Sequence, residues 1–327
     1  MTQLTNGVLI AGVLVVGLGG GYLVGEYTHR HVRENMGEHR VATFLNGQLT
    51  NPLLECAEST DELSVGERAQ IEESVKAYVE SAKKQGMITD AAVYFRDLNN
   101  GPWFGIDERK QYTPGSLLKL PIAMSYYWRA QRERGVLEQH IDYEGSDVVL
   151  AVENAYDSDA PLAAGVYAVD DLIDRMLRES NNDAAQLLAD YAGVEEVQRI
   201  YKDFGIEPPD FGSDYEIDVK TFGAFFRVLY NASYVGQPAS EEILATLTQT
   251  TFRDGLVAGV PEGIKVAHKF GTRVVDGPGG RQLHDCGIIY APKAPYILCV
   301  MSRGNSSQNL SHFIAQVSKI VYEGVTK

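Results

Sequence analysis

The most apolar stretch of the chain lies at its N-terminus. Residues 7–25 contain no charged side chain and are about as long as a helix that crosses the hydrocarbon core of a bilayer. Their high glycine content and terminal position favour a membrane segment over a buried helix of a globular core. No small-residue cleavage site clearly follows, so we expect an uncleaved anchor rather than a removed signal peptide. Gly17, Gly21 and Gly25 are spaced four apart, which can pack two such helices together.

A polar linker and then an amphipathic helix follow this segment. From Gly66 to Lys84 apolar side chains recur at helical spacing, with Ile71, Val75 and Val79 on one stripe. The chain therefore divides into a transmembrane anchor, a linker and a folded domain, at residues 7–25, 26–64 and 65–327.

Both ends of the folded domain have the pattern of β-strands. Residues 91–95 and 103–106 predict two strands around Asn99-Asn100-Gly101, which is a hairpin turn signal. The middle of the domain, 117–250, is mostly helical in pattern. Strands return over 266–301, with a turn at 278–280, and a helix over 313–322 follows. Strands from both chain ends that flank a helical block predict one antiparallel sheet covered by helices.

The composition fits a globular protein with a sizeable core, since 44% of the 327 residues are hydrophobic and 22% are charged. The formal net charge is −15. This balance argues against a nucleic-acid binder, which would show a basic patch, and against docking onto anionic lipid through charge. Solubility is the simplest explanation of the acidic charge.

Three cysteines do not make a disulfide framework. Cys286 and Cys299 lie symmetrically about the predicted turn at 291–294, so they are expected to face each other across two strands. We expect them to be buried as small apolar thiols, because a bridge needs an oxidising compartment and suitable geometry. No Cys/His spacing suggests zinc, and no metal or organic cofactor is implied.

The segment Ser116-Leu117-Leu118-Lys119 is the first candidate for chemistry. Pro114 and Gly115 precede it and mark a turn into a helix start. A serine and a lysine three residues apart lie on one face of a helix. A base has to take the proton of a serine hydroxyl before the oxygen attacks, and a neutral lysine can be that base. Taken alone, the pattern is weak, because a solvated serine and lysine at this spacing occur often by chance.

Two further elements follow in order along the chain. Ser180-Asn181-Asn182 ends a helical stretch, and Lys269-Phe270-Gly271-Thr272 ends a β-like run. The order S-x-x-K, S-x-N, K-x-G resembles the class A β-lactamases and penicillin-binding proteins. The resemblance covers about residues 63–327. It implies the two-lobed α/β (α+β) fold of that family, with an antiparallel five-stranded sheet flanked by helices.

The resemblance implies a role for each polar group of the three motifs. Ser116 would attack a carbonyl and form an acyl-enzyme, while Lys119 accepts or relays its proton. Ser180 would bridge Lys119 and Lys269 and pass the proton to the leaving nitrogen. The backbone N–H groups of Ser116 and Thr272 would form the oxyanion hole.

Three further residues would contact the substrate by the same resemblance. Asn182 would hydrogen-bond the substrate amide, Lys269 would attract the substrate carboxylate, and Gly271 would allow close backbone approach. Taken singly, Ser180 is also explained as a helix cap and Lys269 as an edge-strand guard. These simpler interpretations do not explain why all three motifs occur together.

Two segments depart from the family pattern. Phe270 occupies the position where the family usually has Thr or Ser, so a hydroxyl for the substrate carboxylate is lost, and Thr272 or Arg273 would have to replace it. The segment 205–216 corresponds to the loop that carries the water-activating Glu of class A β-lactamases. Glu207-Pro208 resembles the family's Glu-Pro pair, but no Leu-Asn follows and the loop is short. The candidate acids, each also explained as a solvated loop residue, are Glu207, Asp210 and Glu216.

These features predict a membrane-anchored serine hydrolase that opens β-lactam rings through an acyl-enzyme on Ser116. Two alternatives share the first half-reaction: a D-alanyl-D-alanine peptidase, and a β-lactam sensor that acylates without turnover. The expected partners are a small β-lactam or a peptidoglycan peptide, and the membrane through the anchor. Arg30 and Arg33 would place the domain in the cytoplasm by the positive-inside rule. The family resemblance implies an extracytoplasmic domain, which we expect.

Overall fold

The computed structural model describes residues 49–51, 63–99, 101–145, 161–210, 215–274 and 280–327. The predicted anchor at 7–25, most of the predicted linker and most of the predicted turn at 278–280 lie outside these ranges. Within the ranges, no helix is both long and apolar enough to cross a membrane.

The secondary structure follows the predicted order. The strands are β1 (Asp90–Asp97), β2 (Trp103–Ile106), β3 (Gln111–Tyr112), β4 (His140–Tyr143), β5 (Gly165–Ala168), β6 (Ile217–Asp218), β7 (Val266–Val274), β8 (Arg281–Ile289) and β9 (Tyr296–Gly304). The helices are α1 (Val65–Lys84), α2 (Lys119–Ala130), α3 (Val169–Arg178), α4 (Asn182–Ala192), α5 (Val194–Asp203), α6 (Val219–Tyr230), α7 (Gly236–Leu247) and α8 (Ser307–Thr326).

A five-stranded antiparallel sheet in the order β2-β1-β9-β8-β7 confirms that strands from both chain ends meet. Helices α1 and α8 pack together against one part of the sheet, and α6 contacts strands β1, β8 and β9. Because helices cover it, almost every residue of β8 and β9 is buried, and these strands are rich in Val, Ile and Leu. Strand β7, which carries the third motif, lies at one edge of the sheet.

Helix α1 shows how local sequence sets an element. Ser64 and Glu67 form a capping box at its start, in which each side chain bonds the backbone N–H of the other residue. Ile71, Val75 and Val79 are buried, as the stripe predicts. This stripe joins the apolar core between the sheet and α8.

Cys286 and Cys299 are directly opposed in the β8–β9 pair, as the position of the turn predicts. The structure joins them in a disulfide, and both residues are fully buried. This corrects the expectation of two free thiols. Directly opposed residues of an antiparallel pair bring their Cβ atoms close together, so the register itself supplies the proximity that a bridge needs.

Residues 49–51, which we call the strap, are hydrogen-bonded to the domain although they fall in the predicted linker. Glu241 on α7 accepts the N–H of Leu49 at 2.9 Å, the N–H of Thr50 at 2.8 Å and the hydroxyl of Thr50 at 2.6 Å. The hydroxyl of Tyr290 donates to the carbonyl of Leu49 at 2.8 Å. Leu49 and Thr50 are both buried. One carboxylate therefore secures a short extended segment ahead of α1.

Glu241→Ala should lower the free energy of unfolding by about 1–3 kcal/mol, because hydrogen bonds to a charged acceptor are lost together. Urea unfolding of the full chain measures this change. Glu262→Ala, which removes an exposed acid of the loop before β7, serves as the control and should have little effect. In a chain that lacks residues 1–51, Glu241→Ala should cause no further loss. Equal losses with and without the strap would contradict this account.

Candidate active site

Ser116 lies in a short 3₁₀ turn, Gly115–Leu118, that leads directly into α2. Lys119 is the first residue of α2 and is 5% exposed, whereas Ser116 is half-buried. The residues of α2 from Leu120 to Tyr127 are all buried, which fixes the helix inside the domain. The sequence therefore places a partly accessible hydroxyl and a buried amine at the same helix start.

Two glycines let the Ser116 turn lie directly against strand β7. Gly115 has φ of +55°, and a Cβ there would clash with the carbonyl of Thr272 and lie 3.2 Å from its nitrogen. A Cβ on Gly271 would clash with the carbonyl of Pro114 and lie 3.0 Å from the backbone nitrogen of Leu117. Only glycine fits both positions without displacing backbone. The contact brings the backbone around Ser116 and Thr272 together, as an oxyanion hole requires.

His284 on strand β8 binds the chain just ahead of this turn. It lies opposite Gly271 on β8, and its Nε2 is 3.0 Å from the carbonyl oxygen of Thr113. The N–H of Ser302 donates to Nδ1 at 3.2 Å, so the ring is neutral and carries its proton on Nε2. Burial lowers the pKa of His284 to about 4, and the positive charge of Arg303 adds to the effect. The neutral ring thus fixes the backbone at Thr113, between β3 and the turn that carries Ser116.

Ser180 and Asn181 divide two tasks at the start of α4. Asn181 is the helix cap, since its side chain accepts the N–H of Ala184 at 2.8 Å. Ser180 is fully buried and has φ of +60°, a conformation that few non-glycine residues adopt. The capping interpretation therefore applies to Asn181, and the unusual backbone of Ser180 leaves its hydroxyl to other partners.

Two buried lysines share the hydroxyl of Ser180. Lys119 Nζ lies 3.2 Å from Ser180 Oγ, and Lys269 Nζ lies 3.0 Å from the same oxygen. Both lysines are buried, Lys269 completely. Lys119 also donates to the Ser180 carbonyl and, at 2.6 Å, to Oδ1 of Asn182. The structure thus brings together four polar side chains from the three motifs.

This cluster can move protons. Two ammonium groups on either side of one hydroxyl repel each other, and the repulsion favours releasing a proton from one of them. An amine formed in this way has a lone pair for the proton of a nearby hydroxyl. A shared hydroxyl between the lysines provides a path for that proton without bulk water.

Phe270 packs into the apolar core beside Lys269. Its fully buried ring packs against Phe252 at 4.6 Å between centroids and belongs to the core beneath the sheet. Its carbonyl accepts a hydrogen bond from Lys269 Nζ at 3.1 Å, and its ring lies 4.3 Å from that ammonium. Phe270 thus supports the position of Lys269. Arg273, two residues beyond Gly271, is exposed, and Thr272 is half-buried.

The three loop acids lie in different surroundings. Glu216 forms an ion pair with Arg303 at 3.4 Å, and the carbonyl of Glu207 accepts the hydroxyl of Tyr215 at 2.9 Å. Both glutamates line a cavity whose described lining residues include none of the Ser116, Lys119, Ser180 and Lys269 group. Asp210 is exposed.

The sequence did not identify a buried His268–Asp285 pair beneath the third motif. His268 Nδ1 lies 2.7 Å from Asp285 Oδ1, and both side chains are fully buried. The second carboxylate oxygen accepts the N–H of Leu256 at 2.9 Å. A Cβ on Gly287 would crowd His268, and one on Gly255 would crowd Asp285, so two glycines make room for the pair. Polar residues within otherwise apolar strands were the only sequence signal.

The described ranges contain no group of three or more His, Cys, Asp or Glu side chains that could hold a metal ion. The clustered groups are instead two amines, a hydroxyl and an amide. Groups of this kind can transfer protons and donate or accept hydrogen bonds.

The depressed pKa of His284 predicts a stability change in mild acid. The ring stays neutral in the folded chain while the unfolded chain takes up a proton below about pH 6.5, so acid favours unfolding. Between pH 7 and pH 4 this one group should lower the free energy of unfolding by about 3 kcal/mol. Urea unfolding at both pH values, for the native chain and His284→Gln, measures it. The variant should lose less stability between the two pH values, and an identical loss would exclude His284 as the cause.

Comparisons with known proteins identify the family and the fold. A model of the beta-lactamase enzyme family matches residues 70–325. Among solved structures, the TLA-3 extended-spectrum β-lactamase has a TM-score of 0.69 at 18% identity, covering 78% of this chain and 99% of that one. A β-lactamase from Xanthomonas campestris pv. campestris has a TM-score of 0.64 at 20% identity, covering 77% and 98%.

A further solved structure links the fold to penicillin. A mutant of PBP-A, solved as an acyl-enzyme complex with penicillin G, has a TM-score of 0.62 at 19% identity, covering 78% of this chain and 96% of that one. No curated protein matches the chain. These structural likenesses show the fold, and the family model spans most of the chain. The chain belongs to the beta-lactamase enzyme family.

Proposed function

We propose that this protein is a serine hydrolase in which Ser116 attacks the amide carbonyl of a β-lactam and forms an acyl-enzyme. The observation that carries the proposal is the Ser180 hydroxyl held between the amines of Lys119 and Lys269, at 3.2 and 3.0 Å. A structural hydroxyl does not need two buried lysines beside it, since each buried charge is costly to maintain. In proton transfer the arrangement has a use, because one lysine can be the neutral base and the hydroxyl can relay a proton.

The reaction would proceed in two steps. Ser116 Oγ bonds to the carbonyl carbon as its proton passes to the neutral amine of Lys119, directly or by relay. The oxyanion is then held by the N–H groups of Ser116 and Thr272. The carbon–nitrogen bond breaks as a proton passes through Ser180 to the leaving nitrogen, which completes the acyl-enzyme. Water later cleaves the ester and restores Ser116.

A second candidate function rests on the surroundings of the loop acids. Glu216 forms an ion pair with Arg303. Glu207 and Glu216 line one cavity, and Lys119 is not among the described residues of its lining. Water activation by these acids is therefore poorly supported, which favours a long-lived acyl-enzyme. Such an enzyme would be a D-alanyl-D-alanine peptidase or a β-lactam sensor. The likeness to PBP-A is compatible with this alternative.

Turnover and trapping distinguish the two functions. The chain should react with a chromogenic cephalosporin, and intact mass should show one adduct per molecule. Sustained colour release with little adduct supports a β-lactamase, whereas a single burst with a stable adduct supports a peptidase or sensor. Ser116→Ala should abolish both signals, and a variant that still reacted would overturn the proposal.

Ser180→Ala is the matched variant for the proton path. It removes one hydroxyl and keeps both lysines, so acylation should slow by about 10²–10⁴-fold, the usual contribution of a positioned acid or base. Stopped-flow measurement of the burst gives this rate. Ser306→Ala, which changes a serine that caps α8, is the control and should leave the rate unchanged. Equal effects of the two variants would contradict the proposed role.

We further propose that residues 7–25 anchor the domain on the outer face of the cytoplasmic membrane. The supporting observation is their uncharged, apolar sequence, together with the location of cell-wall substrates. Membrane fractionation with protease applied from outside should degrade the domain of the full chain. A domain protected until the membrane is opened would contradict the proposed topology.

A further inference from the structure

The cavity lined by Glu207 and Glu216 lies beside helix α6, separate from the Ser180 cluster. It has a volume of about 460 Å³, within the range of small-molecule sites. One side is formed by residues of the segment between α5 and β6, including Phe204, Glu207 and Tyr215. The other side is formed by α6 and by Tyr94 and Arg96 of strand β1. Its described lining contains none of Ser116, Lys119, Ser180 and Lys269.

The cavity-facing side of α6 has a cation at each end and small residues between them. Lys220, Gly223, Ala224 and Arg227 all line the cavity. At three- and four-residue spacing they lie along one helical face, and the seven helical steps from Lys220 to Arg227 span about 10 Å. The ring of Tyr94 would lie 2.9 Å from a Cβ on Gly223, so glycine lets the strand approach the helix here. The Tyr94 ring therefore covers Gly223, and the cavity wall between Lys220 and Arg227 is formed by this ring and Ala224.

The positive groups are held in place by neighbours. Lys220 Nζ lies 3.2 Å from the ring centroid of Trp103, a cation–π contact that leaves its N–H donors available on the other side. Arg109 hydrogen-bonds to Thr221 at 3.3 Å and lines the cavity together with Arg96. Four cationic side chains, from β1, the β2–β3 connection and α6, therefore surround the space.

Two of the three carboxylates in the described lining pair with arginines, Asp218 with Arg109 of the same lining and Glu216 with Arg303 outside it. Asp218 caps α6 by accepting the N–H of Thr221 at 2.7 Å and also pairs with Arg109 at 3.5 Å. Glu216 pairs with Arg303, which lies outside the lining. Glu207 remains on the loop side. The chain as a whole has a net charge of −15. The described lining of this cavity has four cationic side chains and three carboxylates, so the cavity is locally positive and attracts anions.

We infer that this cavity binds an extended anion with negatively charged groups at both ends and a slim middle. Lys220 would bind one end and Arg227 the other, with the middle of the ligand against the Tyr94 ring and Ala224. Carboxylate and phosphate groups share the chemistry that lysine and arginine recognise. The site is independent of the reaction at Ser116, so it stands or falls separately from the proposed function.

Calorimetric titration of the full chain with tripolyphosphate tests the inference, and inorganic phosphate is the single-group comparison. Tripolyphosphate should bind at least about tenfold more tightly than phosphate, because it reaches both cations. A tri-glutamate peptide shows whether carboxylates serve as well. Tighter binding of tripolyphosphate than of the peptide assigns a phosphate ligand, and the reverse order assigns a carboxylate ligand.

The double variant Lys220→Gln/Arg227→Gln should weaken binding of the better of these two anions by at least about tenfold. Lys76→Gln/Lys84→Gln removes the same charge from two exposed positions of α1 and should change binding by less than about twofold. Should the first double variant fail to fold, Arg96→Gln alone should still weaken binding. Absence of binding, equal affinity for phosphate and the extended anions, or equal losses in the two double variants would overturn the inference.

Discussion

The sharing of one buried hydroxyl by two lysines is the interaction on which the site depends. Ser180 can hold this position only because its backbone adopts a left-handed conformation, while Asn181 takes over the capping of α4. Lys119 approaches from the start of α2, and Lys269 from the edge strand β7. The start of α2, the start of α4 and strand β7 are distant in sequence and therefore have to meet at one oxygen. Each is held in position by the burial of its own apolar residues.

A backbone contact makes that meeting possible. Gly115 and Gly271 let the turn of Ser116 lie directly on β7, and His284 on β8 binds the carbonyl of Thr113, two residues before Gly115. The helical block and the sheet are thus joined at the turn that carries Ser116, the proposed nucleophile. Larger residues at either glycine would separate the N–H groups of Ser116 and Thr272, which are the proposed oxyanion hole.

Much of the fold could be predicted from local sequence, because period and turn chemistry are local. The buried stripe of α1, the hairpin around Cys286 and Cys299, and the order of the three motifs all follow from short segments. The bond between Glu241 and the strap could not be predicted, because about 190 residues separate the partners. The direction of the Phe270 ring likewise depends on Phe252 in another element. Disulfide formation and the neutral state of His284 depend on register and burial, which only the assembled sheet defines.

The most direct test is a crystal structure of the protein after exposure to benzylpenicillin. The account predicts continuous density from Ser116 Oγ to the opened ring. The ester carbonyl oxygen should lie within about 3.1 Å of the backbone nitrogens of Ser116 and Thr272. An adduct on another residue, or a carbonyl oxygen turned away from both N–H groups, would contradict it.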